Sequence, residues 1–266
     1  MFRFIDTGEN NGAMNMAIDE ALLIAQSEKR LPPAIRVYRF VPPTLSIGYF
    51  QSAEKEVDIE HCKDKGFGYV RRPTGGRAVL HDKELTYSVT ISYPHKILEM
   101  NLLDSFHYLS TGIIRAIGVL GGNAYFSERE DSEISSPSCF ASPTFSDILI
   151  NGRKVVGSAQ MRNKYGLLQH GSILLHVSIE DIFYCLKIKD RLKAKIIEQA
   201  KFKISSLSDE MEKVISFHDV KTSLKEGMSE ILEEKLVDSK LSSFEKIIAD
   251  ELYTNKYNTR EWNFKR

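Results

Sequence analysis

One cysteine and one lysine, Cys139 and Lys154, stand fifteen residues apart in SPSCFASPTFSDILINGRKVVGSAQ, residues 136–160. A thiol attacks as the thiolate, and a nearby ammonium favours that form by roughly 1–3 pK units. Cys139 follows a polar stretch, SEREDSEISSPS, that reads as an exposed loop where a thiol could meet a protein-borne substrate. Lys154 opens the second arm of a hairpin whose turn is Asn151-Gly152, so a sheet can fix its position. The plainer reading is that a lone cysteine is a small buried hydrophobe. On the residues alone both readings stand. Cys62, in a charged helix, and Cys185, on the apolar face of DIFYCLKI, fit the packing role.

The second dense stretch is YVRRPTGGRAVLHD. Arg71, Arg72 and Arg77 bracket Gly75-Gly76, which sets cations around backbone that a ligand can approach without Cβ obstruction. Adjacent glycine amides can also cradle an anion or a polarised carbonyl oxygen. A hairpin turn with solvated arginines is the competing reading. No GxxxxGK[ST] or GxGxxG pattern occurs, and the histidines, His81 and His170 among them, have no HExxH or other metal-ligand spacing. No GxSxG nucleophile elbow is present either.

These residues need a scaffold. GAMNMAIDEALLIAQSEK has Ala17, Ile18, Ala21, Leu22 and Ala25 on one helical face. AIRVYRF, TLSIGYF, FGYVRR and AVLHDKELTYSVTIS read as strands, the last two flanking PTGG. NLLDSFHYLSTGIIRAIGVLGG is an amphipathic helix, and YGLLQHGSILLHV a further strand. From SIEDIFYCLKI onward the pattern is helical and charged. Strands early and helices late predict an α+β domain, with a main catalytic core at 1–180 and a helical part at 181–266 packed on the same unit.

Lys+Arg and Asp+Glu are equal at 36 each, which removes any global field for nucleic acid or an anionic membrane. MFRFIDTGENNG does not read as a signal peptide, and no stretch approaches the roughly 20 apolar residues of a membrane span. Scattered cysteines with no CxxC pair fit a reducing compartment, so a cytoplasmic protein is expected. Nothing in the pattern demands a dimer, and a monomer is expected.

Taken together, RRPTGGRAVLHD, SDILINGRKVVGSAQ and LLQHGSILLHV resemble, in order, the motifs of the lipoate- and octanoyl-transfer family, relatives of biotin protein ligase. The similarity runs from MNMAIDEALL to the KY..REW ending. It implies a central mixed, mostly antiparallel sheet flanked by helices. Gly75-Gly76-Arg77, where ATP-dependent ligases typically carry a third glycine, and a cysteine fifteen residues before the motif lysine are similar to the cysteine-dependent, LipM-type octanoyltransferases. CFASPTF lacks the Asp that related transferases often carry soon after the cysteine.

The resemblance implies Cys139 as the acyl-accepting nucleophile and Lys154 as the group that lowers its pKa and assists proton transfer. Arg72, Gly75, Gly76, Arg77 and His81 would line the substrate site, with Gly157, Ser158, His170 and Gly171 completing its wall. Val79, Ile148 and Ile173 could line an apolar slot, and Arg71, Arg72 and the basic tail could guide an acidic donor. The implied reaction moves octanoyl from acyl carrier protein, through a cysteine thioester, to a lysine of glycine-cleavage H protein or another lipoyl domain, with no cofactor and no metal. Two alternatives remain: a lipoate–protein ligase requiring ATP and Mg²⁺, and a non-catalytic acyl-binding protein.

Overall fold

The computed structural model describes residues 1–127 and 147–265. The elements run β1 (Arg3–Asn10), α1 (Gly12–Lys29), β2 (Ala34–Phe40), β3 (Thr44–Ile47), α2 (Ala53–Glu56), α3 (Ile59–Asp64), β4 (Gly68–Arg71), β5 (Val79–His81) and β6 (Glu84–Ser92). They continue with α4 (Lys96–Glu99), α5 (Leu102–Val119), β7 (Tyr125–Phe126), β8 (Ile148–Ile150), β9 (Arg153–Asn163) and β10 (Gly166–Leu174). The rest is α6 (Ile179–Tyr184), α7 (Asp190–Lys203), α8 (Leu207–Glu210), α9 (Phe217–Leu232), β11 (Val237–Ser239), α10 (Ser243–Leu252) and α11 (Arg260–Asn263), with a π-turn at Tyr253–Tyr257.

Among the described residues, eight strands form one sheet in the order β11-β1-β2-β6-β10-β9-β8-β7. β1 pairs in parallel with β11 and β2, and every other pairing is antiparallel. This is the expected mixed, mostly antiparallel sheet. Its main core, built on Val37, Leu85, Tyr87, Val89 and Ile173, packs against α5 and α9 through Leu109, Ile113, Leu224 and Met228. A second sheet, β4-β3-β5, has its own core with Cys62, Phe183, Cys185 and Ala200.

Turn chemistry sets the register of the site strands. Asn151 and Gly152 have φ of 50° and 81°, the mirror-image turn that closes a tight hairpin between β8 and β9. The stretch KEVDIEHCKDKG, which reads as one helix, is interrupted at Val57 into α2 and α3. The buried Val57 side chain and its bridge to Leu186 explain the break.

Residues far down the chain brace the start of the glycine loop. The Asn263 side chain accepts from the Arg71 amide at 2.7 Å, and the Trp262 indole donates to the Arg71 carbonyl at 2.8 Å. Arg71 itself is fully buried and donates to the carbonyls of Gly48, Tyr49 and Gln51. It is a structural clamp, which corrects the expectation of an exposed docking cation. Arg72 is also buried, so it too is spent on the protein's own carbonyls rather than on a partner.

Candidate active site

A pocket of about 400 Å³, counted to its open mouth, lies where the two sheets meet. The small sheet contributes Ser46, Val79 and His81, and Arg72 follows its strand β4; the large sheet contributes Tyr38, Thr86, Gly157, Ser158, Ala159, His170, Gly171 and Ser172; α1 adds Met16. The structure thus brings together Arg72, His81, Gly157, Ser158, His170 and Gly171. Gly75, Gly76 and Arg77 form the adjoining loop and are not part of the lining. Arg72 fixes that loop by donating to the Gly75 carbonyl at 2.8 Å and the Arg77 carbonyl at 2.7 Å.

Glycine is required at two positions here. Gly76 has φ of 90°, and a Cβ there would come within 2.8 Å of the Arg72 guanidinium. On Gly171 a Cβ would stand 2.4 Å from Ser158 Oγ and 2.7 Å from the Gly157 carbonyl oxygen. Removing the side chain at 171 lets β10 lie against β9 while leaving the pocket wall open.

Each histidine is held by a buried carboxylate. On α1, Asp19 accepts from Arg36 at 2.7 Å, Tyr38 at 2.8 Å and Ser88 at 2.7 Å, and its Oδ2 lies 3.3 Å from His170 Nδ1. Burial alone would raise the Asp19 carboxyl; the Arg36 guanidinium and the His170 contact outweigh it, and the net shift is downward. Burial pushes His170 down despite the pull of Asp19, so its imidazole is neutral at pH 7. With Nδ1–H directed to Asp19, Nε2 is the acceptor for Thr74 Oγ1–H at 2.7 Å. In the second cluster His81 Nδ1 meets Glu84 Oε1 at 2.5 Å and Nε2 meets Ser46 Oγ at 2.8 Å, while Phe40 stacks on the ring at 4.1 Å.

Lys154 is fully buried on β9, with its ammonium 2.8 Å from a carboxylate oxygen of Asp147. Cys139 lies outside the described residues. Cys62 and Cys185 are buried together, and the hydrogen bond between them, then burial, pushes the Cys62 thiol far above its usual range. That pair belongs to packing, as read. Val79 lines the pocket, but Ile148 and Ile173 do not: they sit in the main core. For Ile173 alternation along β10 is the reason: the side chains of His170 and Ser172 face the pocket, and that of Ile173 faces the main core.

Sequence reasoning missed Met16, Asp19, Tyr38, Ser46, Thr74, Glu84 and Ser172. A signal for Asp19 existed: Asn15, Asp19 and Gln26 recur at helical spacing within a helix that is otherwise apolar on that side, and all three are buried. Among the described residues, no group of three His, Cys, Asp or Glu side chains is arranged to hold a metal ion.

An apolar wall of Met16, Val79, Gly157 and Ala159 with a polar end of Arg72, His81, Ser158 and His170 suits a ligand with a hydrocarbon chain and a carbonyl head. The arrangement is that of an acyl-handling α+β enzyme domain. The chain belongs to the lipoyl protein ligase A/B catalytic domain family, which matches residues 11–229. It is 42% identical over 274 residues to octanoyltransferase LipM of Anoxybacillus flavithermus, across 100% of this chain and 99% of that relative. Against octanoyltransferase LipM of Bacillus subtilis it is 40% identical over 273 residues, across 100% and 98%. It is therefore an enzyme, an acyltransferase.

Among solved structures, the bi-partite lipoate protein ligase from Thermoplasma acidophilum superposes with a TM-score of 0.84 at 28% identity, over 98% of this chain and 95% of that one. A lipoate-protein ligase A bound with ATP gives 0.81 at 28%, over 98% of each chain.

Proposed function

We propose that the protein is an octanoyl-[acyl carrier protein]:protein N-octanoyltransferase working in the cytoplasm. The thiolate of Cys139 attacks the carbonyl of an acyl carrier thioester; the new C–S bond forms, and the pantetheine thiol leaves with a proton. A neutral lysine amine of a lipoyl domain, such as glycine-cleavage H protein, then attacks the thioester on Cys139. The C–N bond forms, the Cys139 thiolate leaves, and the amine's surplus proton returns to it or to solvent. Thioester exchange is near neutral in energy and amide formation from a thioester is downhill, so the reading needs no ATP and no cofactor.

In this reading Lys154, kept charged by Asp147, lowers the thiol pKa and relays the proton. His81, Ser158 and His170 form the polar end against the acyl carbonyl, Arg72 adds its fixed charge there while holding the protein's own carbonyls, and Gly157 and Gly171 form the wall along the chain. Gly75, Gly76 and Arg77 shape the loop held by Arg72. A donor to the tetrahedral oxyanion is worth about 3–4 kcal/mol, and backbone amides beside the pocket are suited to that role. The observation that carries the reading is the narrow, largely apolar pocket ending in two carboxylate-held histidines, in a chain alike over its whole length to octanoyltransferases.

The test is an intact-mass measurement after mixing the protein with octanoyl-acyl carrier protein, without ATP or acceptor. An octanoyl adduct that neutral hydroxylamine removes is expected, absent in Cys139→Ala and slow in Lys154→Ala. The likeness to an ATP-bound ligase favours a second reading, lipoate activation by ATP and Mg²⁺. Modification of an acceptor domain only when ATP and lipoate are supplied, with no adduct, would establish that one instead.

A further inference from the structure

From Lys187 to Lys203 the chain carries seven Lys or Arg and two acidic residues, although the whole protein is balanced at 36 and 36. This excess is concentrated on and just before α7. The helix buries Ile196, Ile197 and Ala200 against the second core. Its outer face presents Arg191, Lys195 and Phe202, positions spaced so that they share one stripe. Phe202 is 77% exposed.

Five of these seven cations fall into two groups. Lys187 donates to the Glu54 carbonyl at 2.8 Å, and Lys201 pairs with Glu180 at 3.0 Å and Glu198 at 3.2 Å. Lys189, Arg191 and Lys195 are exposed and have no carboxylate partner among the described residues. Cations already paired within the protein offer a partner little field, whereas an unpaired set attracts an acidic protein surface.

The position of α7 favours one such protein. Just past its C-terminal end, Ile204 forms a bridge to Lys154 and the Ser205 amide donates to the Lys154 carbonyl at 3.0 Å. At a rise of 1.5 Å per residue, Lys195 and Lys189 stand about 14 and 22 Å from Ile204 along the helix axis. An acceptor lysine has a short side chain, so its domain must press against the pocket mouth. A donor that carries its thioester on a long flexible arm docks at a distance and sends the arm in.

We infer that Lys189, Arg191 and Lys195, at the N-terminal end of α7, form the docking surface for the acidic carrier protein that delivers the acyl thioester. The inference rests on the octanoyl-transfer reading above. A carrier seated there stands a helix-length from Lys154, and its arm spans the interval. The attraction sets encounter and KM rather than the chemical step.

The experiment compares the protein with the triple variant Lys189→Glu/Arg191→Glu/Lys195→Glu, all at exposed positions. Two donors are used, octanoyl-carrier protein and octanoyl-pantetheine, which lacks the protein. The variant should raise KM for the carrier-protein donor by about tenfold or more with kcat little changed, and should flatten its salt dependence between roughly 50 and 300 mM. Turnover of octanoyl-pantetheine and KM for the acceptor domain should stay within about twofold, the range of a mutation outside both contacts. In the unmodified protein, kcat/KM for the carrier-protein donor alone should fall steeply with salt. A rise in acceptor KM in place of donor KM would assign the surface to the lipoyl domain and overturn the inference. Equal behaviour of variant and unmodified protein with both donors would make it a solvated face and also overturn it. If the unmodified protein is acylated by neither donor, it is the octanoyl-transfer reading that fails.

Discussion

Replacing Asp19 by Asn removes one charge from a site where its partner cannot reach water. Arg36 and Asp19 both have fully buried side chains, and the ion pair closes at 2.7 Å. Removing one member of such a pair costs about 3–5 kcal/mol, because the remaining charge stays buried. Arg36 keeps other acceptors: Asn15 Oδ1 at 2.6 Å, the Asn15 carbonyl at 3.0 Å and Thr7 Oγ1 at 2.8 Å. Its guanidinium also lies 3.7 Å from the centre of the Tyr38 ring. These neutral contacts place the expected loss for Asp19→Asn near the lower end, about 3 kcal/mol. For a chain of this size that corresponds to a fall in Tm of roughly 6–12 °C.

Urea unfolding and thermal melts of four proteins would measure it: unmodified, Asp19→Asn, Arg36→Met and the double variant. The double variant should recover part of the loss, since removing both charges leaves no uncompensated charge buried. A loss below about 1 kcal/mol in Asp19→Asn, or a double variant no more stable than the singles predict by addition, would refute the argument that the charge pair governs this network.

Three further outcomes follow from the same geometry. His170 is pushed below its ordinary value of 6.5 by burial, so as pH falls past that value the unfolded chain takes up the proton first. The stability it contributes is full above about pH 6.5 and is lost as pH falls towards the folded value, so urea midpoints between pH 7.5 and 5 should decline less steeply in His170→Gln. Gly171→Ala sets a methyl 2.4 Å from Ser158 Oγ and 2.7 Å from the Gly157 carbonyl oxygen; a loss of about 1–3 kcal/mol by thermal melt is expected, with transferase activity falling further as β9 and β10 separate. Asn263→Ala removes the side-chain acceptor of the Arg71 amide and the side-chain donor to the Tyr257 and Thr259 carbonyls; a loss of about 1–3 kcal/mol and faster limited proteolysis near residue 260 are expected.

Local signals carried much of this architecture. The Asn151-Gly152 turn, the glycine loop between two strands and the strand in YGLLQHGSILLHV each depend on a few adjacent residues, and each is found in the structure. What those signals omit is partnership across the chain. Asp19 reads as an ordinary polar residue on an amphipathic helix, because its partners Arg36, Ser88 and His170 come from three different strands. Arg71 and Arg72 read as solvated cations beside a turn, because most of the carbonyls that occupy them belong to β3, the loop after it and residues near 262, with only those of Gly75 and Arg77 close by. The apolar slot was misassigned at Ile148 and Ile173 for a different reason: which face of a strand is the pocket face is decided only when the second sheet is in place.

The clamp between Arg71 and Asn263 joins residues 192 positions apart. Closing so long a loop costs roughly 2–3 kcal/mol more in chain entropy than closing one of ten residues. Hairpins such as β8–β9 and β9–β10 repay their closure at once, whereas this contact is repaid only after the main sheet and α1 exist. The glycine loop leaves the same strand that the clamp secures, so loop-closure entropy gives it a late expected place in the order of folding. On that expectation the sheet and the pocket mature at different times, and a chain whose far end has not yet docked holds all of its pocket residues without yet holding a pocket.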